Sequence, residues 1–205
     1  MSNPQLPATL SADFWQGRYH EGTAHWDLGE PAPPFMSLLQ SPQAPSPGKM
    51  AVLGAGQGHD ALLFAQHGFE VIGFDFAPFA VEVATAAAHA QNLKAQFLQR
   101  DIFTLPSEFA NQFDYVLEHT CYCAILPEQR AEYVEIVRAI LRPGGELIAL
   151  FWAHERAGGP PFGTTQQELQ ARFASGFEIS DWQRPTNSVA ARQQEEYLVR
   201  LRVSK

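Results

Sequence analysis

The stretch Val52-Leu-Gly-Ala-Gly-Gln-Gly-His-Asp60, followed one helix length later by Val71-Ile-Gly-Phe-Asp75, constrains the fold of this chain more than any other feature. The apolar run Met50–Leu53 reads as a buried parallel strand. Gly54, Gly56 and Gly58 let the backbone turn sharply and approach a ligand closely. Ala61–His67 reads as a helix whose free N–H groups face that ligand. Asp75 closes the second apolar run, where a carboxylate can accept two hydrogen bonds from a ribose. Strand, glycine turn, helix, strand and acid together make a nucleotide-binding half-unit.

The glycine spacing selects the nucleotide. Dinucleotide enzymes use G-x-G-x-x-G and set the pyrophosphate on the helix N-terminus. Here the third glycine comes one residue early and His59 takes its place. Asp60, in the first helical turn, repels a phosphate. Both features fit a ligand with a ribose and no phosphate, such as S-adenosylmethionine, and both speak against a nicotinamide-dependent oxidoreductase. A non-catalytic module that senses the same cofactor is the alternative from another class.

A chain of 205 residues with 45% hydrophobic content is one globular domain, residues 1–205. Its proline-rich linker Ser41–Gly48 divides an N-terminal lid segment, residues 1–40, from a core at residues 49–205. The net charge of −8 with no basic run excludes nucleic-acid substrates and docking on an anionic membrane. Met1–Ala8 lacks a signal-peptide pattern and no apolar stretch is long enough to span a bilayer, so a cytoplasmic monomer is expected. Cys121 and Cys123 are too few for a zinc site and too close for an ordinary stabilising bridge. They are read as reduced, packed thiols, with no metal site.

Strands are expected at Met50–Leu53, Glu70–Asp75, Ala95–Gln99, Phe113–Glu118 and Glu146–Phe151. Helices are expected from Ser11, over Pro34–Leu39, Ala61–His67, Pro78–Gln91 and Glu128–Leu141, the last stopped by Pro143-Gly144-Gly145. Gly176–Gln183 and Glu195–Val203 read as a terminal β-hairpin, with Tyr197, Val199, Leu201 and Val203 on one face. The expected fold is α/β, Rossmann-like, with a mostly parallel seven-stranded sheet, a C-terminal antiparallel hairpin and an N-terminal helical lid. This is the layout of the class I methyltransferases.

Ligands of such sheets lie beyond the carboxyl ends of the strands. Gly54, Ala55 and Gly56 stand there after the first strand, Asp75 and Phe76 after the second, and Asp101 and Ile102 after the third. Glu118 and His119 end the fourth strand and Trp152 ends the fifth. Asp101 can accept from an adenine amino group, with Ile102 flanking the ring. Glu118 either anchors the methionine amino group or is structural. His119 packs on the adenosine or touches the substrate. The aromatic N-terminal segment, with Trp15, Tyr19 and Trp26, either covers one edge of the sheet or attracts a sulfonium and excludes water.

The opening Phe14-Trp15-Gln-Gly-Arg-Tyr19 through Trp26-Asp-Leu-Gly-Glu-Pro resembles that of the thiopurine methyltransferase superfamily. Leu53–Asp60, Cys121-Tyr-Cys-Ala-Ile125 with Pro127–Arg130, Leu141–Gly145 and Gly158–Phe162 continue the likeness in order. Within the superfamily the chain is most similar to the thiol/halide methyltransferase branch. The resemblance implies that Trp15, Tyr19 and Trp26 cover the cofactor S-adenosyl-L-methionine, that Gly54 approaches its methionine part, that Asp75 holds the ribose, and that Asp101 and Ile102 hold adenine. It places Trp152 in the acceptor pocket. Ala55 stands where the family has Cys, and His119 and Trp152 where its plant members are often aromatic and Tyr. The implied reaction is methyl transfer to a small soft nucleophile (a thiol or sulfide, a halide or thiocyanate), with thiopurine or metalloid acceptors as the alternative. No indispensable general base is expected. His119 or Tyr122 is a candidate to assist a thiol and Arg130 to attract an anionic substrate, or else to begin a helix in solvent.

Overall fold

The computed structural model describes residues 10–204. In chain order the elements are α1 (Ala12–His20), α2 (Pro33–Gln40), β1 (Lys49–Leu53), α3 (His59–Gln66), β2 (Glu70–Asp75), α4 (Pro78–Ala90) and β3 (Ala95–Gln99). They continue with α5 (Leu105–Phe109), β4 (Phe113–His119), α6 (Arg130–Ile140), β5 (Leu141–Trp152), α7 (Gln166–Phe173), β6 (Phe177–Gln183) and β7 (Glu196–Val203). One seven-stranded sheet runs in the order β3-β2-β1-β4-β5-β7-β6. β1 to β5 are parallel, and β7 is antiparallel to both β5 and β6.

The side-chain alternation of β1 explains the two layers. Met50 and Val52 pack with Phe35 of α2, Phe64 of α3 and Ala84 of α4 on one face. Ala51 and Leu53 pack with Val137 of α6 and Phe173 of α7 on the other. A strand covered on both faces is apolar throughout, which is why β1 reads as a continuous hydrophobic run. The strand order reverses between β1 and β4, and the crevice at their carboxyl ends is where an α/β sheet takes its ligand.

Ser11 caps α1 by accepting from Phe14 N at 3.3 Å, as its place before the first apolar positions implies. Two readings of the chain change. β5 begins at Leu141 rather than Glu146, and Pro143-Gly144-Gly145 forms an irregularity inside the strand instead of a stop after the helix, which has already ended at Ile140. A Cβ at Gly145 would lie 2.9 Å from the Arg142 carbonyl oxygen, so a side chain has no room in that bulge. α5 and α7 were not anticipated. α5 is too short to show a period, but Thr165-Gln-Gln-Glu168 carries a capping signature, and Thr165 Oγ1 accepts from Glu168 N at 3.1 Å. The reading of Met1–Ala8 lies outside the described residues. No helix is long and apolar enough to cross a membrane among the described residues.

Close packing at the sheet–loop junction is testable at Gly73 in β2. A Cβ there would sit 2.5 Å from Phe97 and 2.9 Å from Ala55 Cβ. Gly73→Ala is expected to destabilise the fold by about 1–3 kcal/mol, as overpacked cores do, measured by urea unfolding.

Candidate active site

The glycine turn is built by left-handed backbone. Gly54, Gly56 and Gly58 have φ of +60°, +54° and +87°. At Gly54 a Cβ would meet Cys121 Cβ at 3.0 Å, and at Gly56 it would meet the Tyr19 hydroxyl at 3.3 Å. The turn is thus pressed between the end of β4 and the aromatic lid. Asp75 ties it down: Oδ2 accepts from Gly56 N at 2.7 Å and Oδ1 accepts from Ala77 N at 2.9 Å. Burial raises the Asp75 pKa, with these two amides opposing the rise. Each carboxylate oxygen has a second lone pair, so a diol can still be held there.

A cavity of about 260 Å³ opens at this point, and Asp75, Phe76, Asp101 and Ile102 lie on its wall. Asp101 caps a helical turn, with Oδ1 accepting from Phe103 N at 3.0 Å. Arg100, also on this lining, pairs with Glu108 at 3.0 Å. Trp15, Tyr19 and Trp26 form the roof: Trp26 meets Trp15 and Tyr19 edge-on at 5.2 and 5.5 Å, and its Nε1 donates to Tyr19 Oη at 3.2 Å. Gln16 Oε1 accepts from Phe79 N at 2.9 Å, which pins α1 to the start of α4.

The roof continues as an extended segment, and the residues that follow the glycine turn hold it. Gln57 Nε2 donates to Asp27, and His59 Nε2 lies 3.2 Å from Asp27 Oδ1. Burial works against the Asp27 carboxylate, yet His59 and the Gly29 amide keep its pKa low, and Asp27 in turn raises that of His59. Asp60 Oδ1 accepts from Ala32 N at 2.7 Å. Asp60 therefore anchors the lid, a role that its position in the first turn of α3 did not disclose.

His119 lines a smaller pocket of about 60 Å³ behind the glycine turn, not the main cavity. Its Nδ1 lies 2.7 Å from Asp60 Oδ2. Its Nε2 lies 2.9 Å from Arg192 Nη1 and 3.8 Å from Glu196 Oε1. Neutral, Nε2 accepts from Arg192; protonated, it donates towards Glu196, whose Oε1 is otherwise a buried acceptor without a hydrogen bond. Burial disfavours the charged ring, but Asp60 and Glu196 outweigh it and lift the pKa to about 9, with Arg192 opposing.

Ala55 and Gly56, like His119, line the smaller pocket, and three more expected site residues line neither. Glu118 is in the core, accepting from Tyr122 N at 3.1 Å and from the Tyr133 hydroxyl at 2.6 Å. It is off the cavity wall, in the position of a structural brace. Tyr122 is 1% exposed, stacked among Tyr133, Phe151 and Arg130, and also off that wall. Arg130 is 1% exposed, so it is neither a solvated helix start nor an anion trap. Its guanidinium donates to Phe162 O and Gly163 O at 3.1 and 3.0 Å and pairs with Glu168 at 3.2 Å. These bonds, with Phe162 N donating to Cys123 O at 2.7 Å, fix the loop that carries Pro160 and Pro161 into the cavity wall.

That end of the cavity is apolar and soft. Trp152, Ile125, Pro160 and Pro161 line it, with both cysteines. The thiols are free. Burial pushes Cys121 well up and Cys123 up to about 12. Thr120, at the turn into this stretch, holds a φ of +63°, a strained value for a β-branched residue that is found where a site requires it. Arg18 also lines the cavity, with its Nε buried and unpartnered. Sequence reasoning passed over Arg18, since nothing in one helix tells which residue faces the cavity.

The family model for thiopurine S-methyltransferase matches residues 10–202. The chain belongs to the thiopurine S-methyltransferase family. It is 34% identical to probable thiol methyltransferase 2 of Arabidopsis thaliana, over 85% of this chain and 77% of that one. It is 31% identical to thiocyanate methyltransferase 1 of Brassica oleracea, over 95% of this chain and 87% of that one. Among solved structures it resembles a Burkholderia thailandensis 1,6-didemethyltoxoflavin-N1-methyltransferase with bound 1,6-didemethyltoxoflavin and S-adenosylhomocysteine. The TM-score is 0.77 at 20% identity, covering 100% of this chain and 94% of the other. The protein is a methyltransferase, and S-adenosyl-L-methionine is its cofactor. The glycine cradle, the buried acid with spare acceptor capacity and the absence of any phosphate-sized cationic cluster on the described cavity wall all suit that molecule.

Asp75→Ala is expected to weaken S-adenosylhomocysteine binding at least about 100-fold by calorimetry, since it removes a ribose partner and frees the turn at Gly56. For the His119 chain, the folded-state pKa is raised. Its stabilisation is complete below the ordinary imidazole value of about 6.5 and is lost as pH rises through about 9. Thermal midpoints should fall over that window, and His119→Gln should flatten this part of the profile.

Proposed function

We propose that this methyltransferase acts on a small, soft, anionic or ionisable acceptor: a thiol or sulfide, a halide, or thiocyanate. The observation that carries the reading is the chamber at the Trp152 end of the cavity, with apolar and sulfur walls, in a cavity whose lining also includes the cation Arg18. Its charge suits an anion, and its dry walls strip water from a nucleophile that is large and polarisable. The names of the plant relatives support the same class.

When bound, S-adenosyl-L-methionine supplies a methyl group on a sulfonium, and a neutral thioether leaves. Gly54, Ala55 and Gly56 would cradle the methionine part, Asp75 the ribose, and Phe76, Asp101 and Ile102 the adenine. Trp15, Tyr19 and Trp26 present ring faces and edges to the cation and exclude water. The chain has little proton chemistry to perform. Both cavity thiols are held protonated by burial, so neither serves as a base at neutral pH. His25, exposed at the rim, is the one imidazole on the described cavity wall. What the protein contributes is alignment and desolvation, which reach large factors when reacting atoms are held in line. The free, buried cysteines support a cytoplasmic setting.

A panel of iodide, thiocyanate, hydrosulfide, small thiols and thiopurines with methyl-labelled cofactor tests the reading. Rates with iodide and thiocyanate should stay flat over the pH range in which the fold is intact. Rates with thiols should follow the thiol's own ionisation near its pKa of about 8.5. Trp152→Ala should raise the acceptor KM about tenfold or more and leave S-adenosylhomocysteine affinity within about twofold. Turnover confined to thiopurines would assign the other acceptor class, and no labelled product from any acceptor would favour a cofactor-sensing module.

A further inference from the structure

We infer that Arg192 is a positioning residue that latches the aromatic lid to the acceptor wall, so that cofactor retention and acceptor binding depend on one guanidinium. The inference rests on the site assignment above, with the cofactor beneath the lid and the acceptor against Trp152.

Arg192 lies on a single helical turn, Ala190–Arg192, just before β7. It is 3% exposed. A buried guanidinium is costly unless its donors and charge are matched; the Trp26 carbonyl, the Glu196 carboxylate and the Trp152 ring match this one, and His119 Nε2 accepts from it when that ring is neutral. Nη2 donates to the carbonyl oxygen of Trp26 in the lid at 3.0 Å. Nη1 lies 2.9 Å from His119 Nε2 at the end of β4. Nη1 is also 3.6 Å from Glu196 Oε1 on β7. The guanidinium carbon stands 4.9 Å over the Trp152 ring.

The partners of those partners complete the latch. His119 Nδ1 meets Asp60 Oδ2, and Asp60 Oδ1 accepts from Ala32 N. The lid segment from Trp26 to Ala32 is therefore held at both ends by one chain, Arg192–His119–Asp60. At the other extreme, Trp152 Nε1 donates to Glu195 Oε2 at 2.9 Å, and Arg156 stands 5.2 Å over the same ring and pairs with Glu195 at 2.7 Å. The edge of Trp152 is thus fixed by Glu195, and Arg192 bridges that ring to the lid backbone. Exchange of a cofactor beneath Trp15, Tyr19 and Trp26 requires the lid to move, and movement of Trp26 breaks the Arg192 contact. Only a planar fork serves a carbonyl, a carboxylate and a ring face together. An ammonium carries the charge but is a point donor.

The experiment follows S-adenosylhomocysteine dissociation by tryptophan fluorescence, with kcat and KM for iodide and a small thiol, in wild type, Arg192→Lys and Arg192→Gln. Arg192→Gln should speed dissociation at least about tenfold and raise the acceptor KM by a similar factor. Arg192→Lys should recover thermal stability and most of the acceptor KM through its charge over Trp152, yet still release S-adenosylhomocysteine fast, because one ammonium cannot hold Trp26 O and Glu196 together. Should Arg192→Gln fail to fold, the Lys variant alone decides. Wild-type dissociation in Arg192→Lys, or in a folded Arg192→Gln, overturns the latch. If wild type itself does not bind S-adenosylhomocysteine, or Asp75→Ala leaves its affinity unchanged, the site assignment fails first and the latch falls with it.

Discussion

The bond from Gly56 N to Asp75 Oδ2 holds the site in shape. It joins the turn after β1 to the end of β2, next to the backbone bond from Ala55 N to Phe74 O at 2.9 Å. Asp75 also accepts from Ala77 N, so a single carboxylate sets the glycine turn and the approach to α4. The left-handed values at Gly54 and Gly56 are what let the backbone come within reach of it. A carboxylate already ordered by two amides meets a ribose with little further reorganisation, which is how a preorganised site gains affinity.

Charges near the site serve position more than chemistry. Asp27, His59, Asp60, His119 and Arg192 hold the lid. Arg130 fixes the loop that walls the acceptor chamber. Glu118 braces the turn at Tyr122. This suits a displacement in which the leaving group is neutral and needs no proton. The residues that would be bases or anion traps in a hydrolase act here as struts, and the cavity they frame is lined by rings, prolines and protonated thiols.

Much of the fold was legible because the sheet is buried on both faces. Continuous apolar runs marked β1, β2 and β4, and the alternation of Tyr197, Val199 and Leu201 marked β7. α7 was missed although Thr165 and Glu168 carry a cap signature, since its apolar face is limited to Leu169 and Phe173. Among the candidate site residues, several at strand ends face the cavity, whereas Glu118 and His119 at the end of β4 do not. Gly54, Asp75, Phe76, Asp101, Ile102 and Trp152 all lie on the cavity wall, as do Trp15, Tyr19 and Trp26. Tyr122 and Arg130 were misplaced because a turn after β4 sends them into the core, and no local pattern records the direction of that turn.

The sequence by itself determined the nucleotide half-unit, the parallel order and the cofactor class. These depend on contacts between neighbours along the chain: a glycine turn, its flanking strands and the acid at the next strand end. Only the tertiary structure decided what Asp60, His119, Arg130 and Arg192 do. The hydrogen bonds that give them these roles reach 28 to 166 positions along the chain. The worth of a charge depends on what surrounds it once water is removed, and that is settled only when distant segments pack together.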